Sequence, residues 1–289
     1  MTPSRALPNS VFAVREARGT LNKSKMKMSK PRNYQTEAII IKKTKLGEAD
    51  SILTLYTPDL GKIQGFAKSL RRPKSKLAGH LELLTHSLVS LARGRNLDTI
   101  TGSQTINSFL PLKSDLELTS YALYTAELVN QFTADHIENR PLFQLLLETM
   151  QQLCQAGDSE LVLRYFELHL LNEVGYRPQL QQCVTCHQPL KPTTNSFCSG
   201  AGGMLCPDCC QSQPLTYPLT VNALKVLRLL QGSDYTTTSR LKMNPELSHE
   251  LEAVMRDYLK YHLEREVKSV AWLDTLKEQK SIYQVDVSK

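Results

Sequence analysis

The chain of 289 residues is short of the features that mark the common enzyme classes. It has no Gly-x4-Gly-Lys-Ser/Thr loop to cradle phosphates, which argues against an ATPase or a helicase. His249-Glu250 is followed by Ala253 where a metalloprotease helix needs its second histidine, and no Gly-x-Ser-x-Gly elbow occurs. His169 and His262 fall in helical stretches with no visible catalytic partner, and no nuclease-like acidic cluster is evident. Long apolar runs are missing too: nothing approaches the ~20 residues that a membrane-crossing helix requires. No basic start leads into an apolar core long enough for a secretory signal, so a reducing, cytoplasmic setting is expected. Aromatic residues make up only 7% of the chain, which leaves little for stacking on nucleobases.

What is present is the composition of a folded protein, 41% hydrophobic and 22% charged. The length suits one large domain or two to three small ones. The net charge of +7 is unevenly placed. Residues 1–33 carry eight basic side chains against Glu16 alone, and residues 60–95 carry another eight against Glu82 alone, so the remainder sums to −7. Concentrated positive charge attracts polyanions, of which nucleic acid is the usual one. Residues 1–33 lack a hydrophobic period and read as a basic, disordered tail, or as sequence upstream of a start at Met26 or Met28.

Residues 34–107 read as β-structure. Thr36–Lys42, Ser51–Tyr56, Lys62–Ala67, Leu81–Ala92 and Leu97–Ile106 are strand-like runs separated by turn signals such as Pro58-Asp59-Leu60-Gly61 and Arg93-Gly94-Arg95-Asn96. Five strands in this span suit a small closed barrel of the OB type, although a piece of a β-sandwich would give the same pattern. Residues 115–175 read as helices, and helices resume after the cysteine cluster at 183–210. Leu118, Tyr121, Ala122, Leu128, Val129 and Phe132 share one face, and Phe143, Leu146, Leu147, Met150, Leu153 and Cys154 share another. Asp158 or Ser159 caps a third helix, and Asn244-Pro245 opens a later one. A short last helix is expected over Val267–Leu276, with a polar, fraying end at 277–289.

Six of the seven cysteines lie within residues 183–210. Cys183-x-x-Cys186 and Cys206-x-x-Cys209, 19 residues apart, form two knuckles, the spacing of a zinc ribbon. Each knuckle turns two sulfurs to one side, at a separation that a tetrahedral ion bridges, and Gly202-Gly203 supplies a hairpin between them. Cys198, Cys210 and His187 compete as ligands, but the symmetric knuckles favour Cys183, Cys186, Cys206 and Cys209 and one structural Zn2+. A disulfide pair needs an oxidising compartment, and a redox Cys-x-x-Cys needs a βαβ context that is absent here. Four thiolates leave the ion no open position, so the site stabilises a fold and does not activate water.

Lys68-Ser69-Leu70-Arg71-Arg72-Pro73-Lys74-Ser75-Lys76 packs five basic residues into nine. Pro73 argues against a regular element, so the stretch is expected on a loop that can follow a phosphodiester backbone. Lys62, Arg93 and Arg95 complete the candidate DNA-binding set with Lys68, Arg71, Arg72, Lys74 and Lys76. A solvated loop that binds nothing is the plain alternative. Tyr34, Tyr56 and Phe66 are the barrel's main aromatics, each as suited to the core as to stacking on bases.

Taken in order, these parts resemble the RecO family of bacterial recombination-repair proteins. The matches are Gly47-Glu48-Ala49-Asp50-Ser51, Gly61-Lys62, Ala67–Ser75, Leu171-Asn172-Glu173-Val174-Gly175-Tyr176-Arg177-Pro178, the cysteine knuckles with Gly202-Gly203, and Tyr261-His262-Leu263-Glu264 with Lys268-Ser269, across roughly residues 34–276. The resemblance implies an α+β, multidomain protein: an N-terminal OB-type barrel at 34–110, then a helical domain at 111–289 with a four-Cys zinc-ribbon-like insertion at 180–212. It also implies a non-enzymatic protein that binds single- and double-stranded DNA and anneals complementary strands. Such a protein helps RecA replace single-strand-binding protein, together with RecR-like and RecF-like partners and the C-terminal tail of single-strand-binding protein. A zinc-ribbon adaptor that contacts protein and not DNA is the competing expectation.

Overall fold

The strand β1 (Asn33–Leu46) holds the run Ala38-Ile39-Ile40-Ile41, and all four residues are buried. A strand sends alternate side chains to opposite faces, so an unbroken apolar run implies burial on both. Ala38 and Ile40 point into a barrel interior with Leu53, Leu55, Ile63, Leu91 and Ile100. Ile39 and Ile41 point the other way, into the core of a helical body. Full burial of each isoleucine contributes about 1.5–3 kcal/mol. The structure, a computed structural model, describes residues 31–155 and 157–287, with side chains to residue 277. The tail expected at 1–33 therefore lies outside the described residues up to residue 30.

The barrel closes from β1, β2 (Asp50–Thr57), β3 (Gly61–Ala67), β4 (His86–Ala92) and β5 (Asp98–Asn107) in the order β1-β2-β3-β5-β4. All pairs are antiparallel except β3–β5, which meet in parallel through Gly65–Asp98 and Phe66–Thr99. The fourth strand is shorter than the apolar run Leu81–Ala92 suggested. Leu81 plugs the barrel and Leu84 the helical core, with Leu84 at a positive φ of 62°. The run is apolar because an irregular backbone feeds two cores, not because it is a strand throughout. The Leu84 N–H donates to the Ile40 carbonyl (2.8 Å) and the Ile40 N–H to the Thr85 carbonyl (3.1 Å), beside the register shift between Ile40 and Lys42.

After α1 (Leu110–Ser114), the body is built on α2 (Leu116–Phe132), α3 (Arg140–Leu153) and α4 (Ser159–Glu173). Side-chain carboxylates and amides satisfy their first free amides: Asp115 accepts from Glu117 and Leu118, Asn139 from Leu142, and Asp158 from Leu161. The hairpin β6 (Asn195–Cys198) and β7 (Gly203–Leu205) follows, then the single turn α5 (Pro207–Cys210) and β8 (Tyr217–Leu219), which pairs with β6. Helices α6 (Val221–Gly232), α7 (Tyr235–Thr238), α8 (Pro245–Leu263) and α9 (Lys268–Val287) complete the body. The last helix outruns the expected end at Leu276. Lys277, expected in a fraying tail, donates to Glu252 (2.8 and 2.9 Å) and pairs with Glu160 (2.8 Å). Its first turn is held by Glu127 of α2, whose carboxylate accepts from the Lys268 and Ser269 amides.

Tyr56 of β2 lies 6.3 Å from Phe143 of α3, and His86 of β4 lies 5.9 Å from the same ring. Ile39, Ile41, Tyr56 and Leu84 of the barrel thus join the helical core, and the described residues from Arg32 onward belong to one compact unit.

Candidate nucleic-acid interface and metal centre

The basic stretch leaves the end of β3 as a chain of tight turns. Amides at Arg72, Ser75 and Ala78 donate to carbonyls at Ser69, Arg72 and Ser75. Leu70 is buried in the barrel interior and Leu77 packs against it, so the apolar residues anchor the loop. Lys68, Arg72, Lys74 and Lys76 are exposed. Arg71 is half-buried, and its guanidinium donates to the Gly47 carbonyl in the β1–β2 turn. Its own amide donates to the Ala49 carbonyl (2.9 Å), and the Ser69 amide donates to the Asp50 carboxylate (2.6 Å).

These bonds seat the basic loop against the tip of β1, where Lys42, Lys43 and Lys45 are exposed. The sequence reading missed these three lysines, although Lys42-Lys43-x-Lys45 was a visible signal. Register puts Lys42 beside Thr54, and Ile52 beside Phe66, on the outer side of the sheet. Phe66 is half-buried and belongs to neither core, whereas Tyr56 is fully buried. The outer face of β2–β3 with its flanking loops is the surface on which OB folds take oligonucleotides.

Arg93 and Arg95 are exposed in the β4–β5 hairpin, at the far end of β1, where Asn33 pairs with Ala92. Arg93 lies 4.7 Å over the Tyr34 ring, a cation–π contact. The Tyr34 hydroxyl donates to Asp98 (2.6 Å), and burial with the Asp98 carboxylate pushes its pKa upward.

Lys62 stands apart. Its ammonium donates to the carbonyls of Asn130 (2.8 Å) and Thr133 (2.6 Å), lies 3.4 Å from Asp135, and the side chain is only 12% exposed. Gly61, at φ +62°, lies so close to the body that an added Cβ would sit 2.0 Å from the Ile137 carbonyl oxygen. Gly61-Lys62 is a clamp between barrel and body, and the Lys62 charge, expected to face DNA, already has partners inside the fold.

The four knuckle cysteines converge. The sulfurs of Cys183, Cys186, Cys206 and Cys209 all lie within 4.8 Å of one another, and no other such group of metal-ligating side chains occurs among the described residues. Cys186 and Cys206 are 3.9 Å apart. A tetrahedron of Zn–S bonds of ~2.3 Å needs sulfurs about 3.8 Å apart, while a disulfide needs about 2.05 Å. Gly202-Gly203 turns the hairpin as expected: Gly202 sits at φ +76°, and a Cβ on Gly203 would meet the Gln179 carbonyl oxygen at 2.4 Å. The Met204 amide donates to the Gln179 carbonyl and the Val184 amide to the Met204 carbonyl, which fixes the first knuckle on the second.

Burial raises the Cys183 thiol, but amides of Cys186, Cys206 and Thr185 aimed at its sulfur bring it down to about 6. Cys209 is pushed up to about 12, first by its Cys206 neighbour and then by burial. A cation at the centre resolves that conflict, because it favours all four thiolates together. Of the competitors, Cys198 is buried beneath the cluster and the Cys210 sulfur contacts the Thr216 hydroxyl (3.3 Å). His169 approaches the Leu230 carbonyl (3.0 Å), and His262 stacks on Tyr176 (4.2 Å).

Two family models match this chain: Recombination protein O N terminal over residues 28–109 and Recombination protein O C terminal over residues 113–271. Among curated proteins, a DNA repair protein RecO of Dehalococcoides mccartyi is 51% identical over 249 residues, spanning 86% of this chain and 98% of that protein. One of Roseiflexus sp. is 42% identical over 247 residues, 86% of this chain and 87% of its own. One of Pelotomaculum thermopropionicum is 34% identical over 241 residues, 83% and 93%.

Proposed function

Since the chain belongs to the RecO family, a family of DNA repair and recombination, we propose that it binds single- and double-stranded DNA on the barrel, anneals complementary strands, and helps load a recombinase onto single strands coated by single-strand-binding protein. The observation that supports this most is the loop of exposed Lys68, Arg72, Lys74 and Lys76 pinned to the oligonucleotide side of an OB-type barrel. Lys42, Lys43 and Lys45 extend it, while Arg93 and Arg95 flank the barrel's other end. Contacts of this kind go to phosphates and carry little sequence preference. Phe66 offers one outward ring for stacking on a base. The protein acts by binding and has no reaction centre of its own, in a cytoplasmic, nucleoid-associated setting. RecR-like and, often, RecF-like mediators and the C-terminal tail of single-strand-binding protein are its partners in this reading.

Cys183, Cys186, Cys206 and Cys209 hold one zinc ion, which supplies structure only. The all-sulfur donor set and its spacing support zinc.

The test is annealing of complementary oligonucleotides, with and without single-strand-binding protein, by the native chain and by an R72A/K74A/K76A triple variant. The native chain is expected to anneal and to bind in a salt-sensitive manner. The triple variant should lose about 10²-fold in affinity near 0.1 M salt, with a salt slope shallower by about 2 on single strands. Equal affinity in the variant sinks this placement of the DNA. A native chain that carries one zinc and gives no gel shift at low salt leaves the adaptor reading instead.

A further inference from the structure

Asp50 is acidic, half-buried, and lies where a DNA-binding surface would be expected to exclude negative charge. Its carboxylate accepts from the Ser69 amide at 2.6 Å. Ser69 has a left-handed backbone, φ 52°, which is strained for a non-glycine residue and must be held. That turn sends the chain from the last strand residue, Ala67, which pairs with Ser51, back across the β1–β2 tip. There the Arg71 amide reaches the Ala49 carbonyl and the Arg71 guanidinium reaches the Gly47 carbonyl. Three bonds thus join two cationic segments, Lys42–Lys45 and Lys68–Lys76, that are remote in sequence. Two of the three are made by charged side chains, the Asp50 carboxylate and the Arg71 guanidinium, and charge-assisted bonds of this kind are the stronger sort.

We infer that Asp50 is a positioning residue for nucleic acid: by holding the Ser69 amide it sets the basic loop beside the β1 tip, so that both lysine-rich segments meet one phosphodiester backbone. The inference rests on the DNA-binding reading above. It makes a prediction opposite in sign to simple charge counting, under which removal of any carboxylate near bound DNA tightens binding.

The experiment compares native chain, Asp50→Asn and Asp50→Ala for binding to a single-stranded oligonucleotide across a salt series, with urea unfolding as the control for folding. Both variants lose the same charge, but Asn keeps an oxygen that accepts from Ser69 and Ala does not. Asp50→Asn is expected to bind as tightly as the native chain or more tightly. Asp50→Ala should bind several-fold more weakly, with a salt slope shallower by about 1 or more. Equal binding by the two variants overturns the proposal while leaving the DNA reading intact. A native chain that does not bind at low salt overturns the DNA reading itself, and the positioning role with it. Should Asp50→Ala fail to fold, amide exchange in the native chain decides: slow exchange at Ser69 and Arg71 supports the proposal, and exchange as fast as in an open loop overturns it.

Discussion

The two ends of β3 carry similar chemistry and use it in opposite ways. At the start, Gly61 and Lys62 face the helical body, and the lysine's charge is consumed by the Asn130 and Thr133 carbonyls and Asp135. At the finish, Lys68 and its neighbours turn outward on a loop whose apolar residues are the ones tied down. A lysine is a candidate for DNA only when its ammonium has no better partner inside the fold. The glycines teach the same lesson. Gly61 and Gly47 share a positive φ, but Gly61 is crowded by the Ile137 backbone, while an added Cβ on Gly47 would meet nothing within 4 Å.

The strongest challenge to this contrast is Gly61→Ala. It combines left-handed strain with a collision against backbone that cannot swing away, so a loss of about 3 kcal/mol or more is expected in urea unfolding. A loss under about 1 kcal/mol would show that the barrel–body junction is softer than described. Next in size is Lys62→Ala, which strands two carbonyls and should cost about 2 kcal/mol while leaving the salt slope of DNA binding unchanged. The reverse result, unchanged stability with a shallower slope, would return Lys62 to the DNA surface. The smallest effect is expected at the open end, where Gly47→Ala meets strain but no collision and should cost about 1 kcal/mol.

How much of this could be read beforehand depended on range. The zinc-type knuckles were legible because Cys183, Cys186, Cys206 and Cys209 are linked by short turns and one Gly-Gly hairpin, so local spacing nearly determines the cluster. Helix starts at Asp158 and Asn244 were legible for the same reason: a cap acts over three residues. The basic loop was legible as charge, and Pro73 as the reason it is not a strand. The fate of Lys62 was hidden because its partners lie 68 and 71 residues away. Leu81–Thr85 passed for strand because an apolar run gives no sign of which core it feeds. The end of α9 was misjudged because Lys277 is held by Glu160 and Glu252 on distant helices, not by its own polar sequence.

The two-sided burial of β1 has a mechanical consequence. Any twist of that strand would have to draw Ile40 out of the barrel or Ile39 out of the helices, and an extensive hydrophobic contact of this kind suppresses rocking between lobes. Rocking the barrel against the helical body would therefore expose one set of isoleucines or the other. If two complementary strands are to be paired here, the platform stays still and the loops and the nucleic acid do the moving.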